Sequence, residues 1–68
     1  MHRLWRLRKQ DQFVDAQIND EGEAGVEIAY LYNHRLTSRR RWPTREAALG
    51  DADAKRRELE REGWMLHW

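Results

Sequence analysis

The hydrophobic pattern of the chain changes its period once, at Pro43-Thr44. Before that point apolar and polar residues alternate, as in residues 5–8 and 14–18, which is the period of a β-strand. After it, apolar residues recur at helical spacing until Gly63. The pattern predicts an α+β fold in which the strands come first and a single helix follows.

We predict a small antiparallel four-stranded meander with one helix packed on one face. The strands are expected near residues 3–8, 12–18, 25–32 and 36–42, and the helix near residues 45–62. Pro43 ends the fourth strand, and Thr44 can cap the helix by accepting a hydrogen bond from a backbone N–H one turn in. The apolar stripe of the helix is predicted to consist of Ala48, Leu49, Ala52 and Leu59.

The turn between the third and fourth strands leaves two registers open. A two-residue turn sets the tyrosines of the third strand on the same face as Arg39 and Arg41, whereas a three-residue turn at residues 33–35 sets Tyr32 opposite Leu36. We predict the three-residue turn, because it buries more apolar area against the helix. The residues expected on that side are Val26, Ile28, Tyr30, Tyr32, Leu36 and Trp42.

The length and composition suit one small domain, residues 1–68, with a single core. Cysteine is absent, so neither disulfides nor thiolate metal sites can stabilise the fold, and four tryptophans supply much of the apolar bulk. The first nine residues lack the continuous apolar stretch of an export signal, and no run is long enough to span a bilayer. These features predict a cytoplasmic protein without membrane contact.

Residues for covalent chemistry are scarce. Ser38 is the only serine, and the histidines His2, His34 and His67 have no spacing that would place two of them on one metal ion. The acidic segment 20–23 lacks the ligand spacing of a calcium loop. We therefore predict no enzyme activity, no cofactor and no metal, with a small hydrolase as the most distant alternative.

Arginines are concentrated around the fourth strand. The run comprises Arg35, Arg39, Arg40, Arg41 and Arg45, although the net charge of the chain is only +1. On a strand, Arg39 and Arg41 share one face and Arg40 takes the other. Such a run can hold phosphates beside aromatic rings, or it can protect a sheet edge and pair with neighbouring acids. The low net charge favours the second interpretation.

The C-terminal tail is too apolar to be left in water. We expect Trp64, Leu66 and Trp68 to cover apolar surface, either on their own sheet, where the tail can add a fifth strand, or on a partner.

The joint Trp42-Pro43-Thr44-Arg45-Glu46-Ala47-Ala48 resembles the sheet-to-helix joint in the amino-terminal arm-binding domains of phage-type tyrosine recombinases. It is also similar to that of several small bacterial proteins in which strands precede one helix. The resemblance covers about a third of the chain and implies the architecture more than DNA binding. In arm-binding domains a three-stranded sheet meets DNA, whereas this chain has an additional first strand and a tryptophan-rich tail.

We predict a non-catalytic macromolecule-binding module. The favoured partner is a protein, with the chain acting as a small regulator or inhibitor of the kind that mobile elements encode, or as a homodimer. DNA binding through the arginine-rich strand is the alternative. The candidate binding residues are Arg6, Arg8, Arg35, Arg39, Arg41, Trp64, Leu66 and Trp68.

Overall fold

The computed structural model describes residues 2–67, which form one antiparallel sheet with a helix on one face. The elements are β1 (His2–Lys9), β2 (Gln12–Asp20), β3 (Val26–Tyr32), β4 (Arg35–Trp42), α1 (Arg45–Arg61) and β5 (Met65–Leu66), with a short 3-10 turn at Gly22–Ala24. The spatial order is β4-β3-β2-β1-β5. The predicted α+β meander is confirmed, and the tail supplies its fifth strand.

The core lies between the sheet and α1. Alternate residues of the strands, such as Leu7, Val14 and Ile28, are fully buried on the side that faces the helix. The helix contributes Ala48, Ala52 and Leu59. Small alanines allow the helix to lie close to the sheet, so that the larger strand side chains fill the space between them. The prediction that Leu49 belongs to this stripe is wrong, since Leu49 lies at the edge of the helix face and is 37% exposed.

The predicted three-residue turn after β3 is also wrong. Tyr32 pairs with Arg35, so the turn contains only Asn33 and His34, whose φ angles are 52° and 69°. Two successive left-handed residues give a turn whose twist matches that of the flanking strands, and this favours the two-residue hairpin. Asn33 fixes the turn further, because its side-chain oxygen accepts a hydrogen bond from the Phe13 backbone N–H at 3.0 Å.

A β-bulge in β4 then changes the register. Leu31 pairs with Leu36, but the next residue of β3, Tyr30, pairs with Ser38 and leaves Thr37 as the additional residue. The hydroxyl of Thr37 donates a hydrogen bond to the Tyr30 carbonyl oxygen at 3.0 Å. From the bulge onward β4 has the register expected of the longer turn. Only the prediction for Leu36 is wrong, since this residue lies on the open face and is 49% exposed.

Both ends of α1 have hydrogen-bonded caps. Thr44 Oγ1 accepts from the Ala47 N–H at 3.1 Å, as predicted. At the other end the Gly63 N–H donates to the Glu60 carbonyl and the Trp64 N–H to the Leu59 carbonyl, both at 3.1 Å. This is a Schellman motif, and the φ of 101° at Gly63 is one that glycine adopts readily. The motif turns the chain back so that Trp64 enters the core.

We expect Thr44→Ala to lower the free energy of unfolding by about 0.5–2 kcal/mol, because it leaves a helix-start N–H without an acceptor. Thr44→Ser is the matched control, since it keeps the accepting oxygen and should retain most of the stability. Urea denaturation followed by tryptophan fluorescence measures both. Equal midpoints for the wild type and Thr44→Ala would contradict a contribution from this cap.

We expect Gly25→Ala to lower the free energy of unfolding by more than about 1 kcal/mol. Gly25 has a φ of 104°, and a Cβ at this position would lie 2.7 Å from the Trp42 carbonyl oxygen. Gly22→Ala is the matched control, because it also has a positive φ but no atom lies within 4 Å of the added Cβ. Thermal melts should show the larger loss at Gly25, and equal losses at both glycines would disprove the close contact with β4.

A candidate binding edge

The strand β4 forms one edge of the sheet. Its first seven residues are exposed and only Trp42 is partly buried. In the part of the chain that the structure describes, no strand lies on its outer side. An edge of this kind presents backbone N–H and C=O groups that can pair with an additional strand.

The arginines of β4 divide between the two faces as the sequence pattern predicts. Arg39 and Arg41 pair with Ala29 and Glu27 on the open face, whereas Arg40 pairs with the core residue Ile28. On the open face, Arg41 lies 2.6 Å from Glu21 Oε1, and Arg39 lies 4.0 Å from Glu27 Oε2. The outermost strand is therefore held to its neighbours by ion pairs as well as by the backbone ladder.

On the helix side, Arg40 connects β4 to α1. Its guanidinium lies 3.4 Å from Asp51 Oδ1 and 5.5 Å from the centre of the Trp42 ring. The Tyr30 hydroxyl donates to the other oxygen of Asp51 at 2.9 Å. Burial and this hydrogen bond raise the pKa of Tyr30 far above its usual value, so the phenol stays protonated and remains a donor.

The carboxylates of these pairs are recessed and the arginines project. The side chains of Glu27 and Asp51 are 13% and 16% exposed, while those of Arg39, Arg40 and Arg41 are 60%, 64% and 52% exposed. An approaching molecule therefore meets guanidinium groups first. Because the arginine end of each pair is solvated, the pair contributes only about 0–1 kcal/mol to stability. Arg35 continues the positive charge to the turn, where it is also exposed.

Arg6 and Arg8 lie on β1, which β2 and β3 separate from β4. Arg6 makes a two-bond ion pair with Asp15, Nε to Oδ1 at 2.6 Å and Nη2 to Oδ2 at 3.0 Å. The hydrogen bond to Asp15 raises the pKa of Arg6. Asp15 is only 4% exposed although it lies on the face that the helix leaves open. The open face is therefore not uniformly solvated, since it contains a buried, ion-paired carboxylate.

Arg8, like Arg6, makes its contacts within the chain. Its Nε donates to the Gln10 carbonyl at 2.7 Å, and its guanidinium lies 5.9 Å from the centre of the Phe13 ring. Arg6 lies 5.6 Å from the same ring, and His67 meets that ring edge-on at 5.3 Å. The two β1 arginines thus pack over Phe13, and Arg8 also holds the turn between β1 and β2. They do not join the β4 arginines in one patch.

The tail packs on its own chain. Trp64 is 8% exposed and its ring meets Tyr32 edge-on at 6.4 Å. Leu66 pairs with Leu7 of β1 but remains 45% exposed. Trp68 lies outside the described residues. Trp64 therefore covers apolar surface of its own chain, which is the first of the two predicted alternatives for the tail.

The described residues form shallow grooves at two ends of the sheet's β1 side. One of about 510 Å³ lies beside β5, where Lys9 Nζ donates to the Glu62 carbonyl at 2.7 Å and Met65 is exposed. The other, of about 260 Å³, lies between Leu4 on β1 and Leu49 on α1. Within residues 2–67 no three histidine, aspartate or glutamate side chains are grouped so that they could hold a metal ion.

A comparison of the chain with models of protein families, with curated proteins and with solved structures finds no match in any of the three. Over residues 2–67, no helix combines the length and the apolar character needed to cross a membrane.

We expect Trp64→Ala to lower the free energy of unfolding by about 3–5 kcal/mol, because it removes a buried ring from a small core. A loss of that size is close to the whole stability of many domains of this length, so the variant should be largely unfolded. Met65→Ala is the matched control, since Met65 is 71% exposed. Circular dichroism melts at two protein concentrations check this, and a stable Trp64→Ala variant would show that the tail does not hold the core together.

Proposed function

We propose that the protein is a non-catalytic protein-binding module and that β4 is its contact surface. The observation that carries the proposal is the exposure of a whole edge strand, seven of whose eight residues lie open to solvent with arginines projecting from both faces. A strand in this position offers backbone hydrogen bonds for affinity and side chains for selectivity.

The distribution of charge favours a protein over DNA as the partner. The candidate arginines of β1 and β4 lie on two separated strands, and carboxylates lie between or beside them, as Asp15 does for Arg6 and Glu27 for Arg39. A DNA-binding surface usually presents an unbroken basic stripe that neutralises several phosphates. With a net charge of +1, the chain also lacks the strong positive field that brings proteins to DNA.

Ser38 supports the non-catalytic part of the proposal. It lies on the exposed edge strand opposite Tyr30, away from both grooves. A nucleophilic serine needs an adjacent base and a group that stabilises developing negative charge, usually within a pocket. A cysteine-free chain is also suited to a reducing compartment, and we propose the cytoplasm.

The proposal is tested by capture from nuclease-treated lysate of the source cells, with immobilised wild type, R39E/R41E and R57E/R61E as baits. Both double variants change the net charge equally, but Arg57 and Arg61 lie on exposed positions of α1. We expect the wild type and R57E/R61E to retain a common protein that R39E/R41E loses. Quantitative mass spectrometry measures how much of each protein the two variants capture relative to the wild type.

A gel shift with duplex DNA at about 50 mM and about 200 mM salt tests whether the chain binds DNA instead. Steeply salt-dependent binding that R39E/R41E abolishes would support the alternative, a DNA-binding module. Equal capture by all three baits would show that no protein binds through β4.

A further inference from the structure

We infer that β4 accepts an extended acidic segment of another protein as a sixth strand of the sheet. This inference names the partner of the protein-binding edge and rests on the proposed function.

The part of β4 that can receive a strand is Ser38–Trp42. These residues pair with β3 in unbroken register, whereas the bulge at Thr37 disturbs the ladder before them and Pro43 ends it. Five residues of strand extend about 17 Å. An added segment of similar length can therefore form a continuous ladder along this stretch.

Charge selects the sequence of that segment. The positively charged side chains of the stretch alternate between faces, with Arg39 and Arg41 on the open face and Arg40 on the helix side. Opposite charges on directly paired strand positions stabilise the pair. Acidic residues at alternate positions of the partner would meet Arg39 and Arg41, and the intervening residues would lie near Trp42.

A second copy of this chain is a poor occupant for the same reason. If two β4 strands pair antiparallel about a two-fold axis centred on Arg40, Arg40 faces its own copy and Arg39 faces the copy of Arg41. Like charges directly opposite destabilise such a ladder. In this register the arginines thus disfavour self-pairing and leave the edge open to an acidic strand.

The probe for the test is a capped peptide of about seven residues that alternates glutamate and valine, long enough to span the free ladder. Two further peptides carry N-methyl groups on one or the other alternate set of amides. In an added strand only one of these sets faces β4, so one methylated peptide should lose binding and the other should keep it. A peptide that alternates lysine and valine serves as the charge-reversed control.

Calorimetry measures affinity, and amide chemical shifts of the isotope-labelled full chain locate the contact. We expect the glutamate peptide to bind the wild type and R57E/R61E, with shifts concentrated in residues 38–42. R39E/R41E should weaken binding by at least about tenfold, which corresponds to about 1.4 kcal/mol. R39Q/R41Q repeats the measurement should the reversed charges unfold the domain.

Equal binding of the two methylated peptides would overturn strand addition, because the contact would then be electrostatic only. Absence of binding at about millimolar peptide, or shifts confined to β5, would overturn it as well. So would a wild-type dimer that R39E/R41E abolishes in sedimentation. If lysate capture depends on Arg39 and Arg41 while these peptides fail, the protein-binding function stands and only the strand-addition inference fails.

Discussion

The bulge at Thr37 decides which face of the sheet each side chain in the second half of β4 occupies. Because side chains alternate along a strand, one added residue reverses the face of everything beyond it. Without the bulge, the two-residue turn would place Trp42 on the open face and Arg39 and Arg41 against the helix, where two positive charges would replace apolar contacts. The hydrogen bond from the Thr37 hydroxyl to the Tyr30 carbonyl supports the bulge where it is needed. The core and the charged edge both depend on this bulge.

The succession of elements could be read from the sequence, because strand alternation, the Pro43-Thr44 boundary and the stop at Gly63 are all local signals. The turn could not be read in the same way. Burial of apolar area correctly predicts how residues 26–30 face residues 38–42, but it does not decide the turn, where the left-handed angles of Asn33 and His34 prevail. A bulge reconciles the two requirements, and nothing in the local sequence distinguishes it from a longer turn.

The candidate site was predictable in its residues and not in its electrostatics. A run of arginines on a terminal strand of a meander indicates a charged edge. Their partners come from distant parts of the chain, Glu21 from the loop, Glu27 from β3 and Asp51 from the helix, so the pairs are fixed only once the strands are in register. The same holds for Asp15, whose pairing with Arg6 buries a carboxylate on an open face. Buried charges of this kind are tolerated because both oxygens are hydrogen-bonded.

The position of β1 between β2 and β5 has a consequence for the order of folding. Its first neighbour, β2, follows directly in the sequence, but its second neighbour comes only after the helix, near the far end of the described residues. Closing so long a loop costs more conformational entropy than forming the β2–β3 or β3–β4 hairpin. The central hairpins and α1 can therefore assemble first, and the two-residue β5, seated by Trp64 and the Schellman motif, joins the sheet at the last step. During synthesis the domain would remain incomplete until that short strand is available, and β1 would expose an unpaired edge in the meantime.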